Sequence, residues 1–384
     1  MVSLSHDLDR SGPRFWRSIR GISWGLVLLI CAAAGFGIAV LYSAADGSME
    51  PWAAKQTIRF AISLTLMVGA ALLDIRHWFR AAFWVYAIVL ALVVAVDLRG
   101  FVGMGAQRWI DLGVIQLQPS ELMNVAVVLT LARYFHSLSS EDVRRIRYLI
   151  PPALMVVVPA ALVLKQPDLG TAVTLLMVGA AMFFIAGVRL RHFALTTVAV
   201  AAALPGVWHF LRDYQKTRIY TFLDPDSDPL GAGYHILQSK IALGSGGLFG
   251  KGFLQGSQSH LSFLPEKQTD FIFTTLAEEF GLLGGLGLLA LYSLIMVYGF
   301  AIALRSRNHF GRLLGLGIVT NFFLSVFINT AMVMGLIPVV GVPLPLISYG
   351  GTAMLAVMFG FGLLINVGVH RDTRLHRSGE RRPD

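Results

Sequence analysis

Carboxylates stand at the head of a long apolar run, where an uncompensated charge is costly. The stretch "FLPEKQTDFIFTTLAEEFG", residues 263–281, contains Asp270, Glu278 and Glu279. On a continuous helix Asp270, Thr274 and Glu278 are four residues apart and share a face, while Glu279 points the other way. A carboxylate held at a membrane surface stays ionised and can accept a proton from an attacking hydroxyl group. The pattern therefore makes Asp270 a candidate for chemistry at the membrane surface.

Helix capping explains the same acid without any chemistry. Thr269 or Asp270 at a helix start would satisfy free backbone N–H groups, and the helix dipole favours an acid there. The 35 residues from Asp270 to Arg305 would form a continuous helix of roughly 53 Å, against a hydrocarbon core of about 30 Å. The helix must therefore tilt, break or begin outside the lipid. Each alternative leaves Asp270 at the surface, and capping and catalysis both remain open.

A second polar stretch, "LRGFVGMGAQRWIDLGVIQLQPSE", covers residues 98–121. Trp109 is either an interfacial tryptophan or a stacking wall for a sugar or lipid headgroup, with Arg108 as an anion contact. Glu121 follows Pro119 in the first turn of a predicted helix, which is ordinary helix-start chemistry. The same carboxylate could project into a cavity.

Three further segments contain charged residues, prolines or glycines that predict local backbone structure. "KQPDLGT" predicts a tight turn with an ion pair between Lys165 and Asp168. "LPLISYGGTA", residues 344–353, predicts close helix packing or a helix break. "GSGGLFGKG", residues 244–252, lacks the first glycine and the final Ser/Thr of a phosphate-binding loop, so it predicts a flexible loop or a backbone surface that a ligand approaches.

The rest of the chain consists of apolar blocks that must position these groups. Of its 384 residues, 55% are hydrophobic and 14% are charged, against about 25% charged in a soluble domain. This predicts an all-α, polytopic membrane protein of about ten helices. The predicted spans are 22–43, 57–74, 79–97, 119–135, 148–164, 170–188, 193–211, 278–304, 313–335 and 348–369.

Basic residues give the orientation. The net charge of +9 comes from Lys and Arg in the segments between apolar blocks, which indicates topology and not nucleic-acid binding. The short basic segments predict both termini in the cytoplasm, with 1–21 and the basic tail 370–384 flanking a ten-helix domain, 22–369. The long loop 212–270 is then outside. A single cysteine, Cys31, excludes an intrachain disulfide.

The longer motifs resemble one bacterial family. "QRWIDLG…QPSE", "KQPDLGTA", "RIYTFLDPDSDPLGAGYHILQSKIALGSGGLFGKG", "LPEKQTDFIF…AEE" and "NTAMVMGLIPVVGVPLPLISYGGTA" are similar to SEDS (shape, elongation, division and sporulation) proteins. Nearly the whole chain from the first span takes part, in matching order. Within the family the likeness is to the elongation members and not to the division members.

The resemblance implies a peptidoglycan glycosyltransferase that polymerises lipid II on the outer face of the cytoplasmic membrane. It implies Asp270 as the essential acid, undecaprenyl pyrophosphate as leaving group and a class B penicillin-binding protein as crosslinking partner. Other implied partners are the nascent glycan strand, further elongation-complex membrane proteins and membrane lipid. No cofactor is certain, although a divalent cation such as Mg²⁺ would suit the pyrophosphate. Candidate substrate contacts are Arg108, Trp109, Glu121, Lys165, Glu278 and Ser348.

The sequence departs from the family at one position and leaves two rival functions open. Asn124 stands where the family commonly has a lysine three residues after the "QPSE" glutamate, so Arg108 or Lys165 would have to replace that charge. A lipid II flippase is the first rival, but its ionisable residues should run through the membrane depth. A non-catalytic scaffold for the crosslinking enzyme is the second rival, and it leaves Asp270 and Trp109 unexplained.

Overall fold

Helices dominate the chain, as the composition predicts. The computed structural model describes residues 19–99, 101–103, 106–111, 116–210, 213–224, 232–257 and 266–375. Most of the expected terminal segments 1–21 and 370–384, namely residues 1–18 and 376–384, and parts of the long loop, 225–231 and 258–265, lie outside these residues. The helices are α1 Trp24–Ala44, α2 Ala53–Leu72, α3 Ile75–Arg99, α4 Pro119–Ser137, α5 Ile146–Lys165, α6 Leu169–Ile185, α7 Leu190–Phe210, α8 Asp213–Leu223, α9 Ala232–Ser245, α10 Ile272–Arg305, α11 His309–Val333 and α12 Gly351–Val369.

Each of the ten predicted spans coincides with one helix of this set, and the two extra helices, α8 and α9, lie between the seventh and eighth spans. Among the described residues, six helices are long and apolar enough to cross a membrane: α1, α3, α5, α10, α11 and α12. Large apolar side chains such as Leu28, Trp84 and Val198 are exposed on the helices. A lipid-facing surface accounts for that exposure, so this is a multi-pass membrane protein. The count of ten spans stays a prediction.

Glycines allow the helices to approach one another closely. A Cβ atom added to Gly362 on α12 would lie 2.6 Å from the carbonyl oxygen of Met67 on α2. One added to Gly299 on α10 would lie 2.5 Å from Val319 on α11. Because lipid tails are as apolar as leucine, helix association in a membrane depends on such close packing.

The polar stretch 98–121 contains a small sheet, which the sequence did not predict. Strands β1 Phe101–Gly103, β2 Ala106–Asp111 and β3 Gln116–Leu117 pair antiparallel in the order β1-β2-β3. The sheet connects α3 to α4 and defines what we call the sheet end of the bundle. Strand β2 carries Arg108 and Trp109.

Helix α10 is broken, which was one of the three outcomes predicted from its length. Gly281 has φ 67° and ψ −164°, outside the helical region. The break separates a short first half, 272–280, from a long second half that ends at Arg305. Because backbone groups freed at a break need partners inside the protein, the break requires another segment beside it.

Candidate active site

Asp270 lies in a turn, residues 266–271, immediately before α10. The residue at the N-cap position is Phe271, and no side chain caps the helix. The hydroxyl of Thr269 instead donates to the Glu266 carboxylate at 2.9 Å. The capping explanation for Thr269 and Asp270 is therefore wrong, because neither side chain turns towards the first free N–H groups. Among the described residues, no hydrogen bond reaches the Asp270 carboxylate.

Two other segments fix the position of this turn. The Asn329 side-chain amide of α11 donates to the carbonyl oxygens of Asp270 at 3.0 Å and Val342 at 2.8 Å. The Ser348 hydroxyl donates to the carbonyl oxygen of Thr269 at 2.6 Å and accepts from the Leu344 N–H at 2.8 Å. The hydroxyl of Ser348, a candidate substrate contact, joins the turn to the 334–350 segment. The segment "LPLISYGGTA" is non-helical up to Gly350, as a helix break predicts.

Asp168 belongs to the same region, at the N-cap of α6. Its carboxylate accepts hydrogen bonds from the Thr171 N–H at 3.3 Å and the Thr171 hydroxyl at 2.9 Å. The Gln118 amide donates to it at 3.0 Å. The expected ion pair with Lys165 is wrong. Lys165 pairs with Asp97 at 2.5 Å and its side chain is 66% exposed, because it points outward at the end of α5.

Glu121 completes a group of three acids. It stands in the first turn of α4, close enough to Asp168 and Asp270 for their charges to interact. It also lines a small cavity of about 30 Å³ together with Ser348. Glu121 therefore stands in the first helical turn and also lines a cavity, so both alternatives for this residue fit the structure.

Arginines provide the positive charge near these acids. Arg108 donates from Nε to the Gln166 carbonyl oxygen at 3.2 Å and from Nη2 to the Pro167 carbonyl oxygen. These bonds fasten the sheet to the turn before α6. Arg218 on α8 and Arg108 both favour the charged form of Asp270. Sequence reasoning missed Arg218, although it stands in the motif "RIYTFLDPDSDP".

Asn124, which stands where the family commonly has a lysine, carries no charge towards Glu121. Asn124 is buried on α4, and its side-chain oxygen has no hydrogen-bond partner among the described residues. Of the two replacements considered for the family lysine, Arg108 lies near Asp270 while Lys165 is held by Asp97. Positive charge therefore acts on Asp270 from Arg108 of β2 and Arg218 of α8.

The surroundings of Asp270 set its protonation. Part of the side chain is accessible, but burial among protein atoms raises the pKa of the Asp270 carboxyl to about 6, and the Glu266 charge raises it further. The Arg218 and Arg108 charges oppose this increase. A carboxyl group with a pKa just below neutral is largely ionised at pH 7 and still basic enough to accept a proton.

Glu278 lies in a different environment. It is fully buried and accepts from the Lys251 ammonium at 2.6 Å and from the Ser257 hydroxyl at 3.2 Å. The Ser43 hydroxyl donates to its neighbour Glu279. The predicted face shared by Asp270 and Glu278 does not form, because Asp270 precedes the first helical residue. Glu278 is therefore part of the helix break and not of the acid group.

The glycine-rich segment satisfies the backbone at that break. The N–H groups of Lys251 and Gly252 donate to the carbonyl oxygens of Glu278 and Glu279, both at 3.0 Å, and the Leu282 N–H donates to Gly247 at 2.9 Å. This segment is not the flexible loop that one alternative predicted. A backbone does approach it closely, but that backbone belongs to α10 and not to a ligand.

Trp109, a candidate stacking residue in the sequence, lies at the sheet end. Trp109 is half-buried on β2 opposite Phe101, and because neighbouring strand residues face opposite sides, it points away from Arg108.

Arg59 of α2 was not predicted from the sequence as a site residue. Its guanidinium stacks over the Tyr349 ring at 4.5 Å and lies against Gly351, the first residue of α12. Its Nη1 is buried without a partner among the described residues.

No group of three or more His, Cys, Asp or Glu side chains within the described ranges is arranged to hold a metal ion. Glu121, Asp168 and Asp270 interact through their charges without forming such a group. The divalent cation remains an expectation drawn from the substrate chemistry.

The chain is similar to known proteins over most of its length. A family model described as "Cell cycle protein", FTSW_RODA_SPOVE, matches residues 23–373. "Peptidoglycan glycosyltransferase MrdB" of Escherichia coli strain K12 is 43% identical over 369 residues, covering 93% of this chain and 96% of the relative. "Stage V sporulation protein E" of Bacillus subtilis strain 168 is 35% identical over 353 residues, covering 89% and 95%.

Two solved structures are also similar to this chain over most of its length. A chain from work described as "Structural coordination of polymerization and crosslinking by a peptidoglycan synthase complex" aligns with a TM-score of 0.80 and 32% identity, covering 92% of this chain and 99% of that one. The rod shape determining protein RodA of Thermus thermophilus aligns with a TM-score of 0.68 and 29% identity, covering 92% and 98%.

Proposed function

Because the chain belongs to the FtsW, RodA and SpoVE family of cell cycle proteins, we propose that it is a peptidoglycan glycosyltransferase that polymerises lipid II. The names of its relatives and the complex from which its structural neighbour comes support this activity. Within the site, one observation carries the proposal. Asp270 is a carboxyl group with a raised pKa, held by a fixed turn and without a hydrogen bond from the described residues.

In the proposed reaction the sugar 4-hydroxyl of the acceptor attacks the anomeric carbon of the lipid-linked donor sugar. Asp270 takes the hydroxyl proton as the new C–O bond forms. The bond between the anomeric carbon and the pyrophosphate oxygen breaks, and undecaprenyl pyrophosphate leaves with the electron pair. The lipid-linked donor already carries its leaving group, so the reaction needs no nucleotide.

Positive charge must balance the departing pyrophosphate. Arg59 suits this role, because its Nη1 has no described partner and it lies against the first residue of α12, where the helix dipole also favours an anion. Arg108 and Arg218 act nearer to Asp270 and keep its carboxyl ionised. Trp109 is proposed to stack against a sugar or lipid headgroup from the other face of β2.

Lipid II polymerisation requires the sheet end to face away from the cytoplasm. We propose that both termini lie in the cytoplasm and that the sheet end lies outside the cytoplasmic membrane, because Lys and Arg are concentrated in the short segments assigned to the cytoplasm. Reporter fusions at Ser257 and after Arg377 are expected to report opposite sides. A report of the same side from both positions would contradict this orientation and remove Asp270 from its substrate.

The direct test gives purified full-length protein only labelled lipid II, with and without a class B penicillin-binding protein. We propose that partner because the structural neighbour belongs to a complex that coordinates polymerisation with crosslinking. Glycan chains are the expected product. A protein that moves lipid II across vesicles but makes no glycan would be a flippase, and one that only recruits the partner would be a scaffold.

A further inference from the structure

A groove lies between α5, α6 and α7, away from the acids described above. Its volume is about 380 Å³. On α5 its lining begins at Ile146, the first residue of that helix, and extends to Val157, whereas the active-site contacts of this region begin beyond its last residue, Lys165. The groove therefore opens at the end of the bundle opposite the sheet end.

The lining is almost entirely apolar. It includes Ile150 of α5, Leu176 and Phe183 of α6 and Phe193 of α7, with His192 and Thr196 as its polar members. From Ile146 to Val157 the helix rises roughly 16 Å, which is about half of a 30 Å hydrocarbon core. The groove thus has the depth of one lipid leaflet, which suits an acyl chain.

The entrance to the groove is positively charged. Arg145 and Arg147 flank the start of α5, and Arg189 and Arg191 flank the start of α7. All four are exposed, and none forms an ion pair with a described residue. Both helices also begin here, so the partial positive charges of two helix N-termini add to the arginines.

Few acids offset this charge. Glu141 and Asp142 precede α5 on a short 3₁₀ helix, and the Asp142 carboxylate already accepts a hydrogen bond from the Ser139 hydroxyl at 2.7 Å. The Arg147 guanidinium stacks over the Tyr148 ring at 4.7 Å, which leaves its charge in place. An anionic group at the entrance is therefore favoured over a neutral one.

We propose that this groove is a binding site for an anionic phospholipid. One acyl chain lies along α5 and α6, and the headgroup phosphate contacts Arg147 and Arg191. Basic pockets between transmembrane helices recognise anionic headgroups in this way. A hydrophobic helix from a partner protein would fill the apolar part but would leave the four arginines without a counter-charge.

Native mass spectrometry of the full-length protein tests the site. The protein is titrated with phosphatidylglycerol or phosphatidylcholine carrying identical acyl chains. Wild type is expected to retain phosphatidylglycerol selectively. The pair Arg147→Gln and Arg191→Gln is expected to weaken phosphatidylglycerol retention roughly 10- to 30-fold, and Ala180→Trp, which fills the groove, to displace both lipids.

Matched controls stand outside the groove. Arg305→Gln with Arg312→Gln removes the same charge from exposed positions on α10 and α11, and Ala290→Trp adds the same ring to an exposed position of α10. Both controls should retain phosphatidylglycerol like wild type. Equal retention of the two lipids by wild type, or equal losses in the control and groove pairs, would overturn the proposal.

Discussion

Asp270 and Glu278 are eight residues apart, yet their surroundings differ in every respect that decides what an acid can do. Glu278 is fully buried and neutralised by Lys251 at 2.6 Å. Asp270 is partly accessible, lies near three other acids, Glu266, Asp168 and Glu121, and has only more distant arginines to balance it. An ion-paired, buried acid holds structure together, whereas an acid with a raised pKa at a fixed position can exchange a proton.

The largest expected effect comes from Asp270→Asn. It keeps the size of the side chain but cannot take a proton, so polymerisation should fall by roughly 10²- to 10⁴-fold. Asp270→Glu moves the carboxylate by one methylene and should also be poor. The measurement is glycan synthesis from lipid II by variants with normal membrane insertion and partner binding. Near-normal synthesis by Asp270→Asn would place the base elsewhere.

Substitutions at the Glu278 ion pair should change the stability of the protein, whereas those at Asp270 should change its activity. Lys251→Met leaves a buried carboxylate without its cation and should cost roughly 3 kcal/mol of unfolding free energy. Adding Glu278→Gln should recover part of that loss, because the unpaired charge is gone. Thermal unfolding midpoints in detergent report both effects. Lys165→Met is the matched control, since its exposed pair with Asp97 should contribute about 1 kcal/mol or less.

The contact between the glycine-rich segment and the helix break can be tested separately. A Cβ atom at Gly250 would lie 2.1 Å from the Glu279 carbonyl oxygen, and its φ is +84°. Gly250→Ala should therefore lower the unfolding midpoint, with at least about 1–2 kcal/mol lost to the backbone conformation alone. Gly287→Ala, on α10 beyond the break and with open space around it, should be neutral or stabilising. Similar midpoints for both variants would disprove the contact.

The smallest effect is a shift in pH dependence. A general base works when deprotonated, so the rate should fall as pH decreases through about 6, the pKa of Asp270. Glu266→Gln removes a charge that raises this pKa and should move the acid limb of kcat/KM to lower pH. Arg218→Gln removes a charge that lowers it and should move the limb to higher pH. Shifts of the same sign would contradict the assignment.

Much of the fold could be read from the chain because hydrophobic blocks have to match the thickness of the membrane. Each predicted span coincides with a helix, and the excess length after Asp270 predicted the break that Gly281 makes. The sheet at 101–117 and helices α8 and α9 were missed. Their segments are polar and short, so no sustained periodicity marks them.

Site residues were harder to predict, because residues at the site come from segments far apart in the chain. Lys165 and Asp168 are close in sequence, yet Lys165 pairs with Asp97 while Asp168 caps α6. Arg59 and Arg218 reach the site from α2 and α8, and neither has a local pattern that distinguishes it from other basic residues.

The sequence by itself determined the helical membrane architecture and the family, and it predicted Asp270 as the candidate catalytic acid, since apolar length and contiguous motifs are local properties. Only the tertiary structure decided which acid is paired and which can take a proton. Lys251 meets Glu278 because the glycine-rich segment hydrogen-bonds to the break in α10. Asp270 keeps its raised pKa because Asn329 and Ser348 hold its turn among protein atoms. Charge and desolvation depend on distance in space, which spacing along the chain does not specify.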